Sequence, residues 1–244
     1  MEGMMSEIIK TAQTEGVTTI VIDRGDAGNM LTVDLLRDLS AAFRRAGASE
    51  AKVIVLRSVG ADFCRGRDPQ GGKPSPTALA MRENVIAPIL DVYDAIAGTP
   101  QPIVCMVQGA ALGFGCALAT ACDITIAAEG ARFRLPELEK DLPPTLAISA
   151  MMSRVPRKAL TWLVYSMDEI NADTALRLGI VSRVVPANEL GGASDRLIAA
   201  LAERSREALA AVKEYLRVAI AMEPRGAADY GASLLAAVLS SAKR

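Results

Sequence analysis

The sequence predicts an α/β fold whose C-terminal third is helical. Three observations predict it. Short β-branched runs such as "AKVIVLRS" and "DITIAA" alternate with segments of helical period through the first part of the chain. Prolines and glycines mark the junctions between them. From Asp195 onward the apolar residues recur only at helical spacing. At 244 residues the chain is long for one domain and short for two, which predicts one core with helical additions.

The elements follow in order. "EIIKTAQTEGVTTIVIDRG" alternates apolar and polar residues on either side of Glu15-Gly16, the pattern of a two-stranded hairpin. "TVDLLRDLSAAFRRA" places Val33, Leu35, Leu36, Leu39, Ala42 and Phe43 on one helical face behind a cap at Thr32. "AKVIVLRS" (51–58) is a strand, and "GADFCRGRDPQGGKPSP" after it is a Gly/Pro-rich loop of 17 residues, a length that usually carries function or disorder. A helix is expected from about Thr77 to Ala97, then a proline-framed strand in "TPQPIVCMVQG". "DITIAA" (123–128) is a further strand, "ARFRLPE" a turn or short strand, and "PPTLAISAMMSRV" a helix begun near Pro143-Pro144. In the last third Leu197, Ile198, Leu201, Ala208, Leu209, Val212, Tyr215 and Leu216 form one apolar stripe.

Composition excludes several functions. The residues are 51% hydrophobic and 23% charged, which describes a chain able to bury a core. A formal net charge of −1 without a block of like charges offers no basic stripe for nucleic acid. No apolar run is long enough to span a bilayer and no leader pattern opens the chain, so no membrane partner and a cytoplasmic location are expected. Histidine is absent, which excludes Ser-His-Asp and Cys-His machinery and every His-ligated metal site. Cys64, Cys105, Cys116 and Cys122 match no zinc spacing and read as reduced packing residues, so no metal is expected. Acid–base work falls to carboxylates, Lys, Tyr or Cys.

One stretch suggests a ligand. In "VQGAALGFGCALATACDITIAA" a strand ends at Gly109 and small residues open a helix near Gly113. Unpaired N–H groups and the positive end of the helix dipole would then face an anion. Taken alone, the Gly-x-Gly also fits a helix start packed tightly on a strand.

Three segments together resemble the crotonase, or enoyl-CoA hydratase/isomerase, superfamily over nearly the whole chain. "ADFCRGRDP" resembles the oxyanion loop, an aromatic and a glycine ahead of a residue whose amide faces a thioester oxygen; the matching residues are Gly66 and Arg67. "VQGAALGFGCALATACDITIAA" resembles the family's signature of a glycine turn and glycine-rich helix start. Phe114 stands there in place of the usual middle glycine, between Gly113 and Gly115. "MDEINADTALRLGIVSRVVPANEL" (167–190) resembles the helix-and-strand stretch after the active site.

The resemblance implies a ββα spiral core over 1–190 with a helical trimerisation region over 191–244, a homotrimer or homohexamer, and an acyl-CoA thioester substrate, with no cofactor beyond the coenzyme A of that substrate. It implies backbone donors at Arg67 and Phe114, substrate contacts at Gly66, Gly113 and Ala117, and Glu137 of the Pro136-Glu137 pair as acid–base residue. Hydratases of the family typically carry a second glutamate where this chain has Ala117. Hydration wants a carboxylate system that both activates water and protonates carbon, whereas moving a double bond needs one base. Isomerisation is therefore expected ahead of hydration, with Glu139 and Asp141 as fallback bases and Asp68 as a loop cap. The alternative is a degraded member that binds acyl-CoA or a protein without turnover. Set against the family, which commonly continues past the position of "SSAKR" into a last helix and a basic-aromatic tail over the CoA, the sequence is expected to lack both.

Overall fold

The computed structural model describes residues 7–70 and 75–241. Residues 71–74 of the long loop and 242–244 of the "SSAKR" terminus lie outside them. The predicted hairpin is present as β1 (Ile9–Thr14) and β2 (Val17–Ile22), antiparallel and in register from Ile9↔Ile22 to Thr14↔Val17. Thr32 caps α1 (Val33–Ala48), its hydroxyl accepting the Leu35 N–H at 3.3 Å. The strand β3 (Val53–Ser58) follows.

The helix expected over 77–97 is divided. It comprises α2 (Ala78–Met81), one wide turn at Arg82–Ile86 and α3 (Ala87–Gly98). Pro88 explains the wide turn: it has no N–H for the carbonyl four residues back, and its ring crowds that carbonyl. The chain continues through β4 (Ile103–Val107), β5 (Ala110–Leu112), α4 (Phe114–Ala121), β6 (Ile124–Ala128) and β7 (Arg132–Arg134). Beyond it lie α5 (Thr145–Met151), α6 (Arg157–Ser166), β8 (Ile170–Asn171), α7 (Ala172–Arg177) and β9 (Arg183–Val185). The C-terminal stripe is broken into α8 (Leu190–Ala202), α9 (Arg206–Ala219) and α10 (Pro224–Ser241). Ser205 starts α9 by accepting the Ala208 N–H, and Pro224 starts α10.

The main sheet runs β1-β2-β3-β4-β6-β9, and every pairing after the hairpin is parallel. Strand periodicity divides its side chains between two layers. Ile54, Leu56, Ile103 and Cys105 pack with Leu36 and Leu39 of α1 and Val92 and Ile96 of α3. Val53, Val104 and Ile126 pack under Leu190 and Ala193 of α8. A second sheet, β5-β7-β8, stands apart from the main one. Among the described residues no helix is long and apolar enough to cross a membrane.

Candidate functional site

The small sheet builds the site. β5 pairs in parallel with β7, Leu112 opposite Arg134, and the Gly113 N–H reaches the Arg134 carbonyl at 2.8 Å. Glu137, three residues past that pairing, is thereby carried to the turn that opens α4. A Cβ at Gly113 would fall 2.8 Å from Glu137 Oε1, and Gly113 has φ +53°. The positive φ favours glycine there, and any side chain would displace the Glu137 carboxyl.

On the other edge of β5 lies the long loop. The Cys64 N–H donates to the Ala110 carbonyl (3.0 Å) and the Leu112 N–H to the Cys64 carbonyl (2.9 Å), so the loop extends the small sheet by one bridge. A Cβ at Gly115 would come within 2.0 Å of that Cys64 carbonyl. The second glycine of "GFG" is what lets the loop lie over the helix start.

After Cys64 the loop changes partner. The Arg65 N–H donates to the Gly28 carbonyl (2.9 Å), the Leu31 N–H to the Gly66 carbonyl (3.1 Å) and the Asp68 N–H to the Leu31 carbonyl (2.9 Å). These bonds make a parallel bridge between Leu31 and Arg67. In such a bridge the N–H of Arg67 itself points away from Leu31. Gly66 meanwhile lies against β5, where a Cβ would be 3.2 Å from the Leu112 carbonyl.

The Phe114 N–H is the first of α4, ahead of the first intrahelical bond, Ala117 N–H to Gly113 carbonyl at 3.1 Å. The N–H groups of Arg67 and Phe114 have no acceptor among the described residues. Phe114 keeps its ring out of the way: it is buried and stacks on Tyr93 of α3, centroids 5.8 Å apart and planes 21° apart. The ring forms part of the core while the amide stays at the helix start.

Electrostatics single out one carboxylate. Burial raises the pKa of Glu137 above the ordinary carboxylate value, and its Oε2 is buried without a hydrogen-bond partner among the described residues. Burial, and secondarily Glu137, push Cys116 up to about 12 and Tyr93 well above its usual range. Burial likewise pushes Cys64 up to about 12. These thiols and this phenol hold their protons near neutrality, so none is an activated nucleophile. Glu139 is exposed and engaged by Arg134, and Asp141 is an exposed residue with φ +54° that ends the short turn Glu137–Lys140. Ala117, one turn into α4, is fully buried and brings no polar atom.

Gly113, Phe114, Ala117 and Glu137 thus share one turn and the helix that opens from it, Gly66 lies against β5 next to that turn, and Arg67 follows Gly66 in the loop bridged to Leu31. An oxyanion at the start of α4 would be served by backbone donors and the helix dipole, with a base of raised pKa alongside. Asp68 does cap its loop, accepting the Gln70 N–H at 2.9 Å, and it also pairs with Arg24. Tyr93 was not legible, because it lies on a helical stripe that reads as core. Among the described residues no cluster of three or more His, Cys, Asp or Glu is placed to hold a metal ion.

Comparison with known proteins gives three kinds of match. The family model described as "Enoyl-CoA hydratase/isomerase" matches residues 12–244. Rat "Enoyl-CoA hydratase domain-containing protein 3, mitochondrial" is 30% identical over 207 residues, 83% of this chain and 68% of that one. The "Short-chain-enoyl-CoA hydratase" of Clostridium acetobutylicum is 30% identical over 177 residues, 71% of this chain and 67% of that one. Among solved structures, an enoyl-CoA hydratase from Mycobacterium smegmatis superposes with a TM-score of 0.90 at 26% identity, covering 96% of this chain and 91% of the other. Human enoyl Coenzyme A hydratase domain-containing protein 3 gives 0.88 at 25% identity, covering 96% and 92%.

Proposed function

Since the chain belongs to the enoyl-CoA hydratase/isomerase family, a family of acyl-CoA thioester enzymes, we propose that it moves the double bond of a 3-enoyl-CoA to the 2-position. Glu137 takes a proton from C2. The electron pair spreads into a dienolate whose negative charge rests on the thioester oxygen, held by the amides of Arg67 and Phe114. The same carboxyl returns the proton to C4, so that nothing is added to or lost from the substrate. No cofactor is invoked beyond the coenzyme A that the substrate carries.

The observation that carries this reading is the solitary carboxylate: Glu137 borders Gly113 with its pKa raised by burial, while Ala117 contributes only a methyl group. One base suffices for a proton shuttle; hydration also needs an activated water. The test presents 3-hexenoyl-CoA and crotonyl-CoA separately to the purified protein and identifies products by NMR. Isomerisation of the first with slow hydration of the second is expected. Fast hydration of crotonyl-CoA with no isomerisation contradicts the reading.

The buried Ala117 also supports a second reading, an acyl-CoA-binding member without turnover; tight binding of both thioesters with no product would establish it. We further propose a cytoplasmic homotrimer or pair of trimers. The exposed apolar side chains of α9 and α10 support the assembly, and light scattering measures it.

A further inference from the structure

The mechanism asks one thing of Arg67, that its N–H hold a fixed direction, and the residue sits in a loop. What fixes it is a largely buried polar network around the Leu31–Arg67 bridge. Arg24 is its centre. One nitrogen of its guanidinium donates to Asp68 Oδ2 at 2.8 Å and to the Met30 carbonyl at 2.7 Å. Asp68, 4% exposed, takes the Gln70 N–H on its other oxygen at 2.9 Å. The Arg24 N–H donates to Asn29 Oδ1 at 2.9 Å. The amide group of Asn29, fully buried, donates to the carbonyls of Val59 and Asp62, both at 2.8 Å.

These bonds grip both strands of the Leu31–Arg67 bridge. Met30 is held from one side and Asp68 from the other, by one cation. Arg67 lies between Gly66, bonded to Leu31, and Asp68, bonded to Leu31 and Arg24, so the two residues flanking it are both pinned. The Gln70 N–H and the Arg24 guanidinium hold the Asp68 carboxyl below the usual aspartate range, favouring its carboxylate form. Among the described residues the hydrogen bonds donated by Arg24 go to Asn29, Met30 and Asp68, so its effect on Arg67 passes through backbone.

We infer that Arg24 and Asp68 are positioning residues that aim the Arg67 amide at the thioester oxygen. The inference rests on the proposed reading of the site as an oxyanion site. Neutralising Asp68 or shortening Arg24 leaves every substrate contact in place and loosens the direction of one donor. A donor misplaced by a fraction of an ångström loses most where charge develops, in the transition state. The loss should therefore fall on kcat and spare KM.

The test uses 2,4-hexadienoyl-CoA, whose conjugated thioester absorbs at longer wavelength when its carbonyl is polarised. Bound to the wild-type protein it should show a red shift, and in Asp68→Asn and Arg24→Lys that shift should shrink. In the same variants kcat on the confirmed substrate should fall by ~10–10², with KM within about two-fold. Val53→Ala, in the separate cluster under α8, supplies a variant that lowers Tm while leaving the shift intact. Wild-type binding without any shift would refute the oxyanion reading and this inference with it. A wild-type shift retained in full by folded Asp68→Asn and Arg24→Lys overturns the inference alone. If Asp68→Asn fails to melt cooperatively, Arg24→Lys decides, because it keeps the charge at Asp68 and loses the reach to Met30.

Discussion

Glu137 and Phe114 show how much of the chemistry depends on where a side chain is packed. The Glu137 carboxyl ionises above the ordinary range because burial disfavours its charge by more than a backbone N–H offsets, and among the described residues Oε2 has no hydrogen-bond partner. As the proposed base it would work only when ionised, so turnover should rise with pH through that raised value and then level off. A rate profile flat from pH 4 upward would contradict this. Stability should run the other way. The unfolded glutamate ionises near 4.3, so the fold holds the extra proton between that value and the raised one, and stability falls as pH rises across the interval. Phe114 is a core residue whose amide is the proposed oxyanion donor. Phe114→Ala should cost ~3–5 kcal/mol in chemical denaturation, as for other buried Phe truncations, while turnover at low temperature persists. Loss of turnover in the folded variant would mean that the ring, stacked on Tyr93, also shapes the acyl space.

At the scale of elements, α4 and its two flanking segments make the site, and they differ in how far the sequence announces them. The β1-β2 hairpin, the Thr32 cap and the glycine start of α4 are local features, each encoded by a few adjacent residues, and all are found where expected. The wide turn at Arg82–Ile86 is local too, caused by Pro88, but an unbroken apolar period conceals it. The Arg24–Asp68 network joins residues 44 positions apart, and no pattern in either segment refers to the other. The same holds for Tyr93 against Phe114. Ala117 gives the sharpest element-scale prediction. Ala117→Glu would set a second carboxylate one turn into α4, and hydration of crotonyl-CoA should increase while Tm drops from burial of a charge. Unchanged hydration in the folded variant would show that the missing carboxylate is not what limits water addition.

For the molecule as a whole, the question is what ties the C-terminal helices to the core. The stripe expected to bury itself does so only in part: Leu197, Ile198 and Leu201 of α8 pack under the sheet, but Val212 and Leu216 of α9 are 60% and 68% exposed. The buried residue of α9 is Lys213. Its ammonium reaches the Ile96 carbonyl (3.0 Å), Thr99 Oγ1 (2.9 Å), the Gln101 carbonyl (3.0 Å) and Asp123 (2.7 Å). A hydropathy pattern cannot show such an anchor, since it reads lysine as surface. Lys213→Ala should cost ~3 kcal/mol, the low end for breaking a buried pair because Asp123 keeps its bond from the Ile103 N–H, and should raise hydrogen exchange across α9. Exchange unchanged in α9 would place the anchor elsewhere.

The proposed isomerisation requires one carboxyl group to move a proton between two carbons, and Glu137→Gln tests that most directly. The variant should be compared with wild type on 3-hexenoyl-CoA, with NMR following the appearance of 2-hexenoyl-CoA and calorimetry following binding. The amide is nearly the size of the carboxyl and removes only the base. Affinity should stay within about two-fold while the rate of isomerisation falls by ~10²–10⁴. Isomerisation by Glu137→Gln at close to the wild-type rate would contradict the account and move the search for the base to Glu139 and Asp141.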